Sequence, residues 1–383
     1  MANLVPSSWS HIDPGELRFI LLEVIGGPGQ YDNRGANSDK FYLPVARNDC
    51  RVSLTFADKR LVSIEPGPAF DQAQWDEVVA EVERRASRRC VGRDLGFSGY
   101  RVDGSWRGPR SGVQILPPPG DAPVAPVSMA EHPFVLEFPL AASERWPITN
   151  FRRMREHRRV SRVLNVLLRG GITTQPRRQR HFWAVPSTGQ LNEPVIWVQE
   201  FYYANFGNAV QDELTPAGGR QIEEISADDY YAAIGHDGGP LRVPADLDES
   251  LSDFFQLGPE DHLKFEIAGF WVEAASRQWT ISTSATFASL AIAIEALGDR
   301  SKKPTARFRD FIERYAPGAS LEARRLTMYT LRSDILHGTG LMEMDRDAHF
   351  GWAPPEQNER DLSDELWALT RIAVRNWLRD QTP

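Results

Sequence analysis

From about Leu251 to the end of the chain, apolar residues recur at helical spacing with little glycine to interrupt them, and this limits the possible folds more than any other feature. Asp261 to Arg277 places Phe265, Ala268, Trp271 and Val272 on one side. Phe287 to Leu297 repeats apolar residues at 287, 290, 294 and 297 and stops at Gly298. Thr305 to Tyr315 presents Phe308, Phe311 and Ile312 and ends before Pro317-Gly318. Ser320 to His337 opens at a serine cap and closes at Gly338, and Ser363 to Leu378 keeps Leu366, Leu369, Ala373 and Trp377 on one stripe. Short connections between such helices predict an up-and-down antiparallel bundle over residues 246–383.

The residues before this stretch read differently. Residues 1–115 mix strands at Phe41 to Pro44 and Val52 to Phe56 with a helix from Ala73 to Arg89, whose buried side carries Trp75, Val78, Val79 and Val82. Residues 116–133 are rich in proline, which supplies no amide hydrogen, and read as a linker or loop. Residues 134–245 continue a β-rich region, with strands at Phe134 to Phe138 and Pro194 to Tyr203. Between them a helix from Asn150, as cap, to Leu168 sets Met154, Val160, Val163, Leu164 and Leu167 against a core. Its other face is dense in arginine. The turn-rich GHDGGPLRVPAD, ending at Asp246, suits a domain boundary. The expected class is α+β, a mixed β-rich N-terminal region followed by an all-α bundle.

A net charge of -8 argues against coating nucleic acid through bulk electrostatics but leaves room for a local basic cleft. Lysine occurs only at positions 40, 59, 264, 302 and 303, so arginine carries most of the positive charge; this suits phosphate binding and equally fits a GC-rich genome. Arg177, Arg178 and Arg180 lie beside His181, Phe182 and Trp183. They read either as an RNA-gripping patch or as surface charge around a β core. Cys50 and Cys90 are the only cysteines, and the histidines show no metal-ligand spacing, so neither a metal nor another cofactor is expected. No phosphate-binding glycine loop, GxSxG or HExxH motif occurs. No apolar run suits a bilayer and the N-terminus lacks signal-peptide character, so the expected location is the cytoplasm, away from membranes.

Three residues of the helical stretch stand out. Glu295 sits in SLAIAIEALG, where a carboxylate either takes a polar surface position or needs a buried basic partner. Arg332 and His337 follow in YTLRSDILHG. Five helical steps of about 100° leave them some 140° apart, so they converge only if the helix loosens or both lie at an interface. Taken alone, His337 could be a helix-end histidine favoured by the dipole, and Arg332 a structural partner of Glu295 or Asp334.

The combination of FASLAIAIEALG with YTLRSDILHG resembles the HEPN superfamily, in particular its ApeA-like branch. That superfamily's signature is arginine, four to six residues, then histidine; the residue after arginine is commonly Asn, Asp or His, and here it is Ser333. RHFWAVP and PVIWVQEFYY resemble the amino-terminal part of the same proteins more loosely. The resemblance implies a homodimer joined through the helical bundle, with two Arg332/His337 pairs meeting across the interface. His337 would be the general acid/base, Arg332 would hold the scissile phosphate, and Glu295 would orient one of them. It implies metal-independent RNA cleavage through 2′-OH attack, giving 2′,3′-cyclic phosphate and 5′-OH ends, in a regulated toxin or antiviral defence effector whose N-terminal region senses a trigger molecule or protein. The alternative is a non-catalytic HEPN module that dimerises and recruits RNA or a protein.

Overall fold

The computed structural model describes residues 9, 12, 17, 20, 21, 24, 40–43, 52–57, 60–66, 70–87, 89–118, 132–141, 146–174, 182–184, 195–197, 209–232, 239–279, 281–317, 322–346 and 354–381. The fold is mixed α/β, with a strand-rich N-terminal region followed by helices. The chain divides into two compact units, neither continuous in sequence. The proline-rich segment 119–131 and Arg177, Arg178 and Arg180 lie outside the described residues.

The first unit comprises Met1–Val91, Pro139–Glu156 and Val210–Glu213. Strands β1 (Lys40–Leu43), β2 (Val52–Ala57) and β3 (Arg60–Pro66) form an antiparallel sheet in that order, with Leu54 opposite both Phe41 and Ile64. Helix α1 (Gln72–Ser87) buries Trp75 and Val82 together with Trp9, Leu17, Ile20 and Leu21, and Val78 and Val79 pack at the edge of this cluster. The apolar stripe expected of this helix is therefore its buried face.

The second unit comprises Gly92–Phe138, His157–Ala209 and Leu214–Pro383. Its sheet sets the greater part of β4 (Arg89–Ser98, from Gly92 on) and of β7 (His132–Ala141, up to Phe138), then β6 (Gln114–Leu116) and β5 (Trp106–Arg107), side by side in that order. Gly92 and Gly96 admit the Phe138 and Phe134 rings, which an added Cβ would meet at 2.6 and 2.3 Å. Helix α2 (Trp146–Leu167) follows, then β8 (Ile172–Thr173), paired with the end of β4. Strands β9 (Phe182–Ala184) and β10 (Val195–Trp197) form a separate antiparallel pair; the rest of the strand expected up to Tyr203 lies outside the described residues. The short β11 (Ala209–Gln211), β12 (Glu224–Ile225), α3 (Ala227–Ala232) and β13 (Val243–Pro244) lead to the helical region.

That region consists of α4 (Leu247–Gln256), α5 (Pro259–Gln278), α6 (Thr283–Leu297), α7 (Pro304–Tyr315), α8 (Glu322–His337), α9 (Glu343–Arg346) and α10 (Pro354–Gln381). Helix α6 lies at its centre, packed against α5, α7, α8 and α10. Ser282 caps it, accepting from the Ala285 amide at 3.1 Å. The core does not break at residue 246. Phe134, Val160, Val163, Leu164 and Leu167 share one cluster with Phe265, Val272, Phe287, Ile294 and Trp377.

Helix α2 departs from its expected phase. It begins at Trp146, so Asn150 lies inside it and accepts a hydrogen bond from Arg153 at 2.7 Å instead of capping the end. Met154, expected in the core, is 49% exposed. Six steps of about 100° put it roughly 240° from Val160, off the buried stripe. The positions in phase, Arg153 and His157, are buried instead. Two of the arginines are paired with acids of α5: Arg159 donates to Glu266 at 2.7 Å, and Arg162 lies 3.5 Å from Glu273.

Candidate active site

The last turn of α6 carries Glu295 between apolar neighbours, and α8 packs alongside it. Arg332 Nη2 donates to Glu295 Oε2 at 2.5 Å, with the two side chains only 13% and 12% exposed. Of the two partners open to Arg332 in the sequence, Glu295 is the one the fold supplies. Tyr329, one turn earlier on α8, places its ring 5.7 Å from the Arg332 guanidinium carbon. The aromatic face adds a cation–π contact that fixes the guanidinium plane. Tyr329 was not singled out in the sequence, although its i, i+3 spacing from Arg332 carries that signal.

The pair is incompletely satisfied. Glu295 Oε1 and Arg332 Nε are both buried without a hydrogen-bond partner. Burial pushes the Glu295 carboxyl above its ordinary range, while Arg332 and Arg307 pull it back without cancelling the effect. The Arg307 guanidinium is itself engaged by the carbonyls of Asp299, Arg300 and Lys302, at 3.1 to 3.2 Å.

His337 ends the same helix, five residues beyond Arg332, and is exposed. The chain leaves α8 through Gly338 at φ +70, whose amide donates to the Ile335 carbonyl at 3.1 Å, while the Thr339 amide reaches back to the Asp334 carbonyl at 2.9 Å. This is a Schellman closure with His337 as the final helical residue. The helix stays regular through its last turn, so the angular separation between Arg332 and His337 persists. The fold brings Glu295 and Arg332 together; no hydrogen bond or ion pair joins His337 to either. The imidazole lies instead on a stripe with Leu326, Thr330 and Ser333, close in sequence to Leu336 and Leu341. Leu326, Leu336 and Leu341 are 55%, 43% and 50% exposed, which is unusual for leucines so close together on one helix and the turn after it.

Among the described residues, no group of three or more His, Cys, Asp or Glu is placed to hold a metal ion. No described helix is long and apolar enough to cross a membrane. No family model matches the chain, and no curated protein or solved structure matches it.

Proposed function

We propose that the chain is a HEPN-type, metal-independent endoribonuclease that works as a homodimer through its helical bundle, with Arg332 and His337 as catalytic residues and Glu295 positioning Arg332. The observation that carries this reading is the Arg332–Glu295 pair, whose guanidinium is held in place by Glu295 and Tyr329 yet keeps an unspent Nε. An unsatisfied donor beside a fixed cation suits a phosphate oxygen. RNA brings its own nucleophile, the 2′-OH, so the protein has only to move a proton and stabilise an oxyanion. Histidine titrates near neutrality and supplies the proton transfer. A second copy docking on the leucine-bearing stripe of α8 brings His337 of one chain toward the Arg332–Glu295 pair of its partner, which answers the divergence within a single helix. The products are 2′,3′-cyclic phosphate and 5′-OH ends. Uncontrolled cleavage of this kind harms its host, which fits a regulated cytoplasmic toxin or antiviral effector triggered through the N-terminal region.

Incubation of purified protein with RNA in EDTA tests this reading. Cleavage is expected, and His337→Ala is expected to abolish it while leaving the circular dichroism spectrum unchanged. Cleavage that needs added metal, or that survives His337→Ala, overturns the mechanism. The second reading, a non-catalytic HEPN module that recruits RNA or a protein, is favoured by the roughly 140° between Arg332 and His337 on an unbroken helix. An RNA-binding dimer that leaves its RNA intact would select it.

A further inference from the structure

The chain passes from α6 to α7 through Asp299 to Pro304, six consecutive exposed residues. Hydrogen bonds pin this turn from within. The Ser301 amide and hydroxyl both donate to Asp299 Oδ1, at 2.9 and 2.7 Å, and the Lys302 amide donates to the Asp299 carbonyl at 3.2 Å. Arg307, in the first turn of α7, gathers the carbonyls of Asp299, Arg300 and Lys302 around its guanidinium. Its stem lies against Gly298, where an added Cβ would come within 2.3 Å of Arg307 Cγ.

The turn carries three cations against the single carboxylate of Asp299, in a chain whose net charge is -8 and which has lysine at only five positions. Lys302 is engaged by Asp310 at 2.7 Å. Arg300 and Lys303 are exposed, and neither side chain makes a hydrogen bond or ion pair with any described residue. Apart from Pro304, the turn has no apolar side chain.

This turn adjoins the proposed active site. Gly298, where it begins, is three residues beyond Glu295, or about 5 Å of helical rise. At its other end Phe308 sets its ring 5.9 Å from that of Tyr329, and the same Tyr329 ring lies 5.7 Å from the Arg332 guanidinium carbon. The turn and the Arg332–Glu295 pair are therefore tied together at both ends, through α6 on one side and through Phe308 and Tyr329 on the other.

We propose that Arg300 and Lys303 form a docking surface for the phosphate backbone of RNA, leading the strand to Arg332. The identity of this partner rests on the ribonuclease reading. Phosphate contacts position a nucleic acid without reading its sequence, and exposed cations on a pinned turn suit that role. A protein partner is gripped instead through an apolar, aromatic-rich centre, which this turn does not offer.

Fluorescence anisotropy of the full-length protein with a labelled single-stranded 2′-O-methyl oligonucleotide tests the proposal, because blocking the 2′-OH lets binding be read without cleavage. Saturable binding is expected. The double variant Arg300→Gln, Lys303→Gln is expected to bind about tenfold more weakly or worse, and to lower the slope of log affinity against log salt by about 1.4, for two lost phosphate contacts on a single strand. The charge-matched control Arg110→Gln, Arg220→Gln removes two exposed arginines elsewhere in the same unit and is expected to stay within about twofold of wild type. No binding by the wild type, an equal loss in the control, or displacement of the oligonucleotide by polyglutamate at matched charge overturns the proposal. The last result marks an acidic protein partner instead. Cleavage of unmodified RNA, followed in parallel, separates the two readings. Loop-dependent binding without any cleavage overturns the nuclease and leaves the docking surface, whereas cleavage with unchanged kcat/KM in the double variant overturns the docking surface and leaves the nuclease.

Discussion

Arg332 and Glu295 join α8 to the central helix α6 through a 2.5 Å hydrogen bond in which each partner leaves one buried polar atom unsatisfied. Desolvation outweighs attraction on the carboxylate side, so removing the two partners should have unequal effects. Glu295→Gln keeps an acceptor for Arg332 and is expected to change stability by no more than about 1 kcal/mol at neutral pH. Arg332→Ala strands a buried carboxylate and is expected to cost on the order of 3 kcal/mol. The folded-state carboxyl is raised, so its favourable contribution is complete at acidic pH and is lost as pH climbs through the raised value. Urea denaturation of the wild type and both variants across the acid-to-neutral range would show this: the wild type and Arg332→Ala lose stability as pH rises through that window, and Glu295→Gln lacks that component.

Gly338 and Gly170 both adopt positive φ, at +70 and +91, but their surroundings differ. Nothing lies within 4 Å of an added Cβ at Gly338, whereas the Tyr100 ring blocks Gly170 at 2.1 Å. Gly338→Ala is expected to cost about 1 kcal/mol of backbone strain. Gly170→Ala adds a steric clash and is expected to cost about 3 kcal/mol or more. Thermal unfolding of the two variants checks the order, and equal melting points would contradict it.

Asp345 closes the start of α6 from a distant turn, accepting from Ser282 Oγ and the Thr283 amide at 2.9 Å and from the Ser284 amide at 2.6 Å. Although burial pushes its carboxyl up, the hydrogen bonds from Ser284, Thr283 and Ser282 prevail and hold it below the ordinary range. With the folded value depressed, this stabilisation is present above the ordinary carboxylate pKa and disappears as pH falls through the lowered one. Asp345→Ala is expected to cost about 2 kcal/mol at neutral pH, with the difference from wild type closing on acidification. Chemical denaturation at several pH values measures it.

Tyr230 makes the opposite prediction at alkaline pH. Burial raises its phenol to about 12, so its contribution is complete below the ordinary tyrosine value near 10 and is lost as pH rises toward 12. Tyr231 is raised as well, also chiefly by burial. Tyr230→Phe should therefore shrink the alkaline loss of stability without removing it. Unfolding curves combined with phenolate absorbance would report both effects.

Periodicity located most of the helical half because burial there follows the apolar residues. Helices α6 and α7 end at Leu297 and Tyr315, where glycine or proline follows. Strand β4 was missed because Gly92 and Gly96 lower its β propensity, yet those glycines are what let the Phe138 and Phe134 rings lie against the sheet. Buried Glu137 was missed for a similar reason. Its carboxylate is satisfied by the Thr215 hydroxyl and amide and by Gln114, and no local pattern announces partners so far away in sequence. The Met154 expectation failed because hydrophobicity alone set the phase of α2, whereas the buried stripe there runs through Arg153 and His157. Glu295 and Arg332 were both legible as candidates, since a carboxylate amid apolar residues calls for a cation. That His337 stands apart from them followed from helical angle alone.

The long cluster running from Phe134 through α2 to Trp377 also bears on protein engineering. A gene fragment starting at residue 246 would encode α5 stripped of the helix whose Arg159, Arg162 and Asn165 meet its Glu266, Glu273 and Ser276. The face of α5 around Gly269, which lies against Arg162, would then be uncovered, and such a fragment would be expected to lose stability rather than behave as a transplantable module. Swapping this helical half onto another protein would have to carry the preceding sheet with it.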